Sequence, residues 1–457
     1  MAIDQWKLKF YLDSQKDYAS KNFCMFLKSL DSTEIFTNER GVETIAVNEE
    51  IYLNFSNDLL DDFTSFELSN IVFHKRVTIS NKNNIRITFY NSEARDSFHL
   101  SECKGANLAF NGTNIFKANF MVSGSEFENV IINSYLQVDS EMFFIGCVFK
   151  DFKVTRYQAP NIEPQFTLEF CHFENKVNFM NFVFGDKMRF KQCTFKDNVY
   201  FNNSIFKDSA DFSQCEFEKT ANFYGVEFKK VPNFSQTQFK GSLNVVNTNL
   251  DFDFESLKEK IKQEHRQQNT NSKKSLVHFV NDFRDSFRGF KSALIKDNNL
   301  LDASEFHRCE LYCKELELDS KENKTLKDKV EKLQLWFYRK LCDHHTDLVL
   351  NLKWLVYTIA LYVFLLGKIP FVYPVAIFIF CVYGCMCSFK NIWLVISSAI
   401  VFITILDTPK IILGISNLFE KDLNLWQNFI TTLYVIAIGL VLFSLQKTAR
   451  KNSIVPN

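Results

Sequence analysis

Residues 171–239 read CHFENKVNFMNFVFGDKMRFKQCTFKDNVYFNNSIFKDSADFSQCEFEKTANFYGVEFKKVPNFSQTQF, and phenylalanine recurs along them every eleven residues in two interleaved series. One series is Phe179, Phe190, Phe201, Phe212, Phe223 and Phe234; the other is Phe173, Phe184, Phe195, Phe206, Phe217, Phe228 and Phe239. Neighbours lie alternately six and five residues apart. Two positions before nearly every one stands a small or apolar residue: Val177, Met188, Val199, Ala210, Ala221, Cys171, Cys193, Ser204, Cys215, Val226. In an extended chain residues i and i−2 point to the same side, so Ala210 and Phe212 enter one interior while Asp211 faces water. A helix would scatter the same residues around its surface. Repetition at a short fixed period marks a solenoid, whose units bury their apolar faces against the units above and below.

The pattern is first visible at Phe66/Leu68, Ile71/Phe73 and Val77/Ile79, and it loses register between Asn81 and Glu93 around Ile85, Ile87 and Phe89. From Phe98 it resumes, with Phe110, Met121, Ile132 and Phe143 expected inside alongside Phe116, Phe127, Val138 and Phe149. The stretch RYQAPNIEP, 156–164, shifts the phase by two residues, and its prolines remove ladder donors. It is expected to protrude as a loop.

Lysine plus arginine equals aspartate plus glutamate, 53 each, so the chain has no formal net charge. A neutral balance removes the simplest argument for nucleic acid, which requires a basic face to displace counterions, and no nucleic-acid partner is expected. Phenylalanine numbers 51 against 13 glycines and 7 prolines, the load expected if one ring fills each side of each coil. The 12 cysteines form no CxxC pair and no zinc-spaced set, and no secretory signal is read in the first residues, so the thiols are expected to be reduced. Cys171, Cys193 and Cys215 are 22 apart, with Cys147 joining them across a two-residue insertion. They are expected to line one inner wall as small hydrophobes filling a narrow corner.

The tract from Asn178 to Phe228 and the segment CKGANLAF before it resemble the pentapeptide-repeat proteins, in which Leu or Phe, with Ala or Cys two before it, recurs about every five residues. The resemblance implies a right-handed, four-sided β-helix with one pentapeptide per side. Here a coil would take 22 residues, giving about eight coils over residues 61–253 behind an N-terminal cap, 1–60. Some soluble relatives mimic DNA through a strongly acidic coil surface. Residues 141–253 carry acidic and basic side chains in about equal number, against that role.

After Leu250 the spacing becomes helical. Phe254, Leu257 and Ile261 share a face expected to close the last coil, a polar linker follows at 267–274, and helices are expected at Leu276–Ile295 and Leu301–Leu318. The second pair resembles the helical hairpin of some membrane-bound pentapeptide-repeat proteins, through Phe287, Lys291, Ala303, Phe306 and Glu310. Residues 254–345 therefore read as helical linker and hairpin, ending in a charged helix from about Lys324 to Leu341. Residues 350–448 read as a transmembrane bundle of about four helices, the third the shortest. Arg339 and Lys340 precede it, and Lys447, Arg450 and Lys451 follow it. With four spans both ends lie on the cytoplasmic side, so the expectation is a multi-pass protein of the bacterial inner membrane with its repeats in the cytosol.

No catalytic pairing, phosphate loop or dinucleotide turn stands out, and no catalytic, cofactor or metal residue is assigned. The run CysAspHisHisThrAsp, 342–347, is the one local candidate for metal or proton chemistry, and it is read as solvated at the membrane surface. The functional expectation is a membrane-anchored docking scaffold whose partners are the lipid bilayer and a protein. The alternative is a regulated ion channel or membrane effector with the repeats as sensor; residues 408–424 carry no filter motif of the TVGYG kind.

Overall fold

The computed structural model describes residues 3–14, 23–38, 41–55, 64–132, 135–154, 166–185, 187–268, 275–366, 392–407, 410–414 and 424–450. The proline-containing stretch 156–164, most of the polar linker, and the second expected membrane span lie outside them. Two compact units divide between Asp302 and Ala303.

The first unit is a β-solenoid of about eight turns. Its parallel stacking begins with Ile3–Asp4 laid on Ile51–Asn54, Ile3 opposite Ile51, and continues where Ile45 of Glu43–Val47 pairs with Ile71 and Ile51 pairs with Val77. The coils thus begin inside the stretch expected to be cap. What covers them is α1 (Gln5–Ser14), α2 (Phe23–Lys28) and the antiparallel strand Thr33–Thr37. Phe23 of α2 sets its ring edge-on to Phe66 at 4.8 Å.

Coil architecture changes along the rod. Up to Val154 each turn has three strands, one of them long, such as Glu126–Ile132 and Val148–Val154. Val148–Val154 then pairs with both His172–Phe173 and Val177–Asn178, so one long face becomes two short ones. From Phe166 onward there are four strands per turn, most of two residues, paired at a step of 22. The four-sided expectation therefore describes the second half, where the five-and-six rhythm is regular. The first half departs from it with a consequence for side-chain direction. Phe120, Val122, Met142 and Phe144 are buried, whereas Met121 and Phe143, expected inside, are not. A slip of one residue turns every side chain of a strand to the other face.

In the four-stranded coils the two series resolve into four columns of rings. Phe173, Phe195 and Phe217 stack at 4.7 and 4.9 Å, and Phe239 follows at 5.2 Å. Phe190, Phe212 and Phe234 stack at 5.1 and 4.8 Å; Phe179, Phe201 and Phe223 at 5.3 and 5.1 Å; Phe184, Phe206 and Phe228 at 4.7 and 5.2 Å. These spacings follow the rise between hydrogen-bonded strands, about 4.8 Å. Rings of adjacent columns meet edge to face, as Phe212 does with Phe201 and Phe223.

The five-and-six rhythm has a backbone cause. Every five-residue interval contains a residue at positive φ: Phe170, Asn181, Gln192, Asn203, Gln214, Gly225, Gln236 and Asn247. Each of the later ones is the third residue of a tight turn, closed for example by Ser204 N donating to Phe201 O at 3.1 Å and Val226 N to Phe223 O at 3.1 Å. The described six-residue corners show no such residue, and at two of them an aspartate caps the next amide, Asp197 that of Asn198 at 2.7 Å and Asp208 that of Ser209 at 2.5 Å. Asn and Gly tolerate the left-handed region; phenylalanine does so poorly. Phe170 is also half exposed. Phe170→Asn should therefore raise stability by about 1 kcal/mol, read as a higher urea midpoint for the full chain in detergent.

At the far end α3 (Phe254–Gln268) buries Leu257 and Ile261, as expected, and α4 (Leu276–Lys296) supplies the lid over the last rings. Phe290 stands edge-on to Phe234 at 4.8 Å, and Ser286 Oγ donates to Phe234 O at 2.7 Å.

The second unit takes in most of α5 (Leu300–Ser320), followed by α6 (Leu326–Cys342), α7 (Leu348–Leu365), α8 (Ile392–Asp407), α9 (Lys410–Leu413) and α10 (Leu425–Ala449). Two of these, α7 and α10, are long and apolar enough to cross a membrane, and α8 is a shorter apolar helix. They pack α7 against α10 in antiparallel fashion: Asn351 near the start of α7 bonds Ser444 near the end of α10, and Tyr362 stacks on Tyr434 at 3.7 Å.

Candidate functional site

The Phe and Cys ladder reaches water nowhere except at its last rung. Phe173 to Phe234 in both series are buried, as are Cys171, Cys193 and Cys215; Phe239 is half-buried and covered by Phe290 at 5.8 Å. The cysteines do more than fill space. Cys171 Sγ donates to Phe144 O and Cys193 Sγ to Leu168 O, both at 3.2 Å, and Cys215 Sγ donates to Phe190 O. Ser204, Thr237 and Thr248 occupy the equivalent place and donate to Phe179 O, Phe212 O and Phe223 O at 2.6, 2.7 and 3.0 Å. The residue two before Phe in this series is thus a donor to the carbonyl of the preceding coil in most turns. Its recurring Cys, Ser and Thr are the sequence signal, which a reading of size alone passes over. Burial pushes the Cys171 and Cys193 thiols up, so they stay protonated and unreactive at neutral pH.

Outside, the coils tie themselves together by charge. Lys196 meets Glu174 at 2.7 Å, Lys219 meets Asp197 at 3.0 Å and Lys230 meets Asp208 at 2.6 Å, each pair one turn apart. Exposed pairs of this kind stabilise by less than about 1 kcal/mol, but they leave faces without a field of one sign. A cleft of about 510 Å³ lies between one face and α3, lined by Lys187, Arg189, Asp208, Asp211, Lys229, Asp251, Glu259 and Lys260 among others.

A dense polar cluster forms the elbow between α6 and α7. Asp343, His344 and His345 stand consecutively at φ 48°, 55° and 72°. Three successive left-handed residues without glycine are costly, and the surroundings hold each in place. Asp343 accepts from Arg308 Nη1 at 3.1 Å and from the Tyr312 hydroxyl. His345 Nδ1 lies 3.4 Å from Cys342 Sγ, 3.3 Å from Ser444 Oγ and 3.4 Å from Thr448 Oγ1. Asn351 Nδ2 donates to Ser444 Oγ at 2.9 Å, and Asp347 caps α7 by accepting from Leu350 N at 2.8 Å. The solvated reading of this run is therefore corrected: His344 and His345 are 3% and 8% exposed, on a left-handed turn and not on a helix. Ser444 and Thr448 come from about a hundred residues away, and no local pattern announces them.

Burial pushes His344 down to about 3 and His345 down to about 4, while it raises the Cys342 thiol. Both rings are neutral and the thiol is protonated near pH 7, which is not the state of an activated nucleophile. Among the described residues no group of three or more His, Cys, Asp or Glu side chains is arranged to hold a metal. The unfolded chain takes up these two protons near pH 6.5 and the folded elbow refuses them, so stability is full above about pH 6.5 and falls as pH drops toward 4. Thermal unfolding followed by tryptophan emission should show a midpoint declining from pH 7 to pH 5, with a shallower slope in His344→Asn/His345→Asn.

Residues 171–216 match the family model of pentapeptide repeats, in nine copies. That tract carries the first part of the four columns of rings, which continue beyond it to Phe239. No curated protein matches the chain. No solved structure matches it either.

Proposed function

We propose that the protein is a membrane-anchored docking scaffold: the solenoid offers its outer faces to a protein partner, the helical region holds it to a bilayer, and no chemistry is performed. The observation that carries this reading is the lack of protein cover on the apolar helices. Only 28% of α7 and 33% of the most apolar window of α10 is buried, whereas a core helix of a soluble protein is mostly covered. Leu361, Phe364, Leu433, Ile436 and Phe443 point outward. Because α7 and α10 run antiparallel, a membrane crossed by both would have the start of α7 and the end of α10 on one side. Arg339, Lys340 and Lys447 cluster there, which favours the cytosolic side of a cytoplasmic membrane.

The docking half of the proposal is supported by the filled interior, which leaves only the outer faces for recognition, and by their mixed charge, which suits a protein more than nucleic acid. Pentapeptide-repeat solenoids are commonly interaction scaffolds. A photo-crosslinking amino acid at Lys196, Asp211 or Lys230 of the full chain in living cells should give a discrete adduct that depends on the face chosen. No adduct at any position would end the docking reading. Discrete conductance of the purified protein in a planar bilayer would replace it with a channel.

A further inference from the structure

Over its first two turns helix α6 carries its apolar stripe on the outside, while the far end of the helix, Phe337 and Leu341, packs with Leu355 of α7 and Val441 of α10. Leu326, Val330 and Leu333 recur at intervals of four and three, so they share one face, and they are 78%, 59% and 63% exposed. Trp336, at the edge of that stripe, is 45% exposed. The charged side of α6 instead faces α5. Arg339 grips Glu315 through two bonds of 2.8 and 2.9 Å, Lys332 meets Asp319, and Asp328 meets Lys321, one residue past the end of α5, at 3.0 Å. A surface helix of a water-soluble protein has the opposite arrangement, with its apolar stripe against the core.

Two further observations select the occupant. The stripe is continuous with the apolar helices, because Trp354 Nε1 of α7 donates to Lys340 O near the end of α6 at 2.8 Å, and α7 goes on to expose Leu361 and Phe364. The stripe is also flanked by exposed lysines, Lys327, Lys329 and Lys340. Apolar residues flanked by lysine and tryptophan are what the boundary between acyl chains and anionic headgroups accepts. We propose that α6 is an in-plane interfacial helix, with Leu326, Val330 and Leu333 in the headgroup boundary and the flanking lysines on anionic lipid. The surface that receives it is a lipid leaflet, not a protein groove. The inference rests on the membrane reading and adds to it a second mode of attachment, parallel to the bilayer plane.

The test uses the full chain in vesicles of phosphatidylcholine and phosphatidylglycerol, with an environment-sensitive fluorescent amino acid replacing Leu333 or, separately, Phe364. Lipid spin labels sit near the headgroup or near the bilayer centre. The probe at 333 should be quenched at least twofold more by the shallow label, and the probe at 364 by the deep one. Removing phosphatidylglycerol should reduce quenching at 333 at least twofold and leave 364 unchanged. Quenching at 364 without quenching at 333 overturns the interfacial helix and leaves the membrane reading standing; no quenching at either site removes both. Blue-shifted but unquenched emission at 333 from a dimeric protein assigns the stripe to a second copy of the chain and also overturns the proposal.

Discussion

Phe212→Ala should destabilise the solenoid by about 3–5 kcal/mol, the usual range for deleting a buried ring. The ring has no exposure and sits between Phe190 and Phe234, with Phe201, Phe206 and Phe223 at its edges. A column of stacked rings cannot close over the gap, because the strands that carry its members are fixed by ladder bonds above and below. Coils contact only their neighbours, so the loss should spread locally before it spreads globally. Amide hydrogen exchange on the full chain in detergent should show the coils at 188–190, 210–212 and 232–234 losing protection first. Asp211→Ala, one residue away, removes a partly exposed carboxylate that accepts from Ser213 N at 2.9 Å, and should cost no more than about 1 kcal/mol. Equal loss of protection in the two variants would refute the assignment of inside and outside.

Glu315→Ala should cost a comparable amount in the second unit, about 3–5 kcal/mol, because it strands a buried guanidinium. The Glu315 and Arg339 side chains are only 5% and 13% exposed, and the bond between them is bidentate. Replacing both partners, as Glu315→Leu/Arg339→Met, should recover most of the loss, since apolar pairs often substitute for buried ion pairs without penalty. Tryptophan emission can follow this unit, because Trp336, Trp354, Trp393 and Trp426 belong to it and only Trp6 lies in the solenoid. A double variant as unstable as the single one would mean that the pair's charges, and not their burial, hold α6 to α5.

What the sequence revealed followed how locally each feature is encoded. The columns of phenylalanine were legible because both the inward direction and the coil length are written every few residues, from Phe173 to Phe239. The helices at 254–268, 276–296 and 300–320 were legible for the same reason. The three-stranded first half was legible only in part: Phe110, Phe116, Phe127, Ile132, Val138 and Phe149 are buried as expected, but the strands Phe120–Ser123 and Met142–Ile145 keep a different register. A reader holding to eleven lands on Met121 and Phe143, one residue beside the true inner positions. The elbow was hidden more deeply. Three left-handed residues that are not glycine leave no composition signal, and adjacent histidines before an apolar helix look like a wet boundary. Ser444 and Thr448, arriving from α10 beside His345, and Tyr312 of α5, beside His344, help make them interior.

The change from three strands to four within one rod has a further consequence for recognition. A perfectly periodic prism repeats the same view at every turn, so a ligand gripping it in one place could grip it equally well a step higher or lower. Where the long strand Val148–Val154 forks into His172–Phe173 and Val177–Asn178, that degeneracy ends. The fork is a landmark, and any partner that reads it has a single address along the axis.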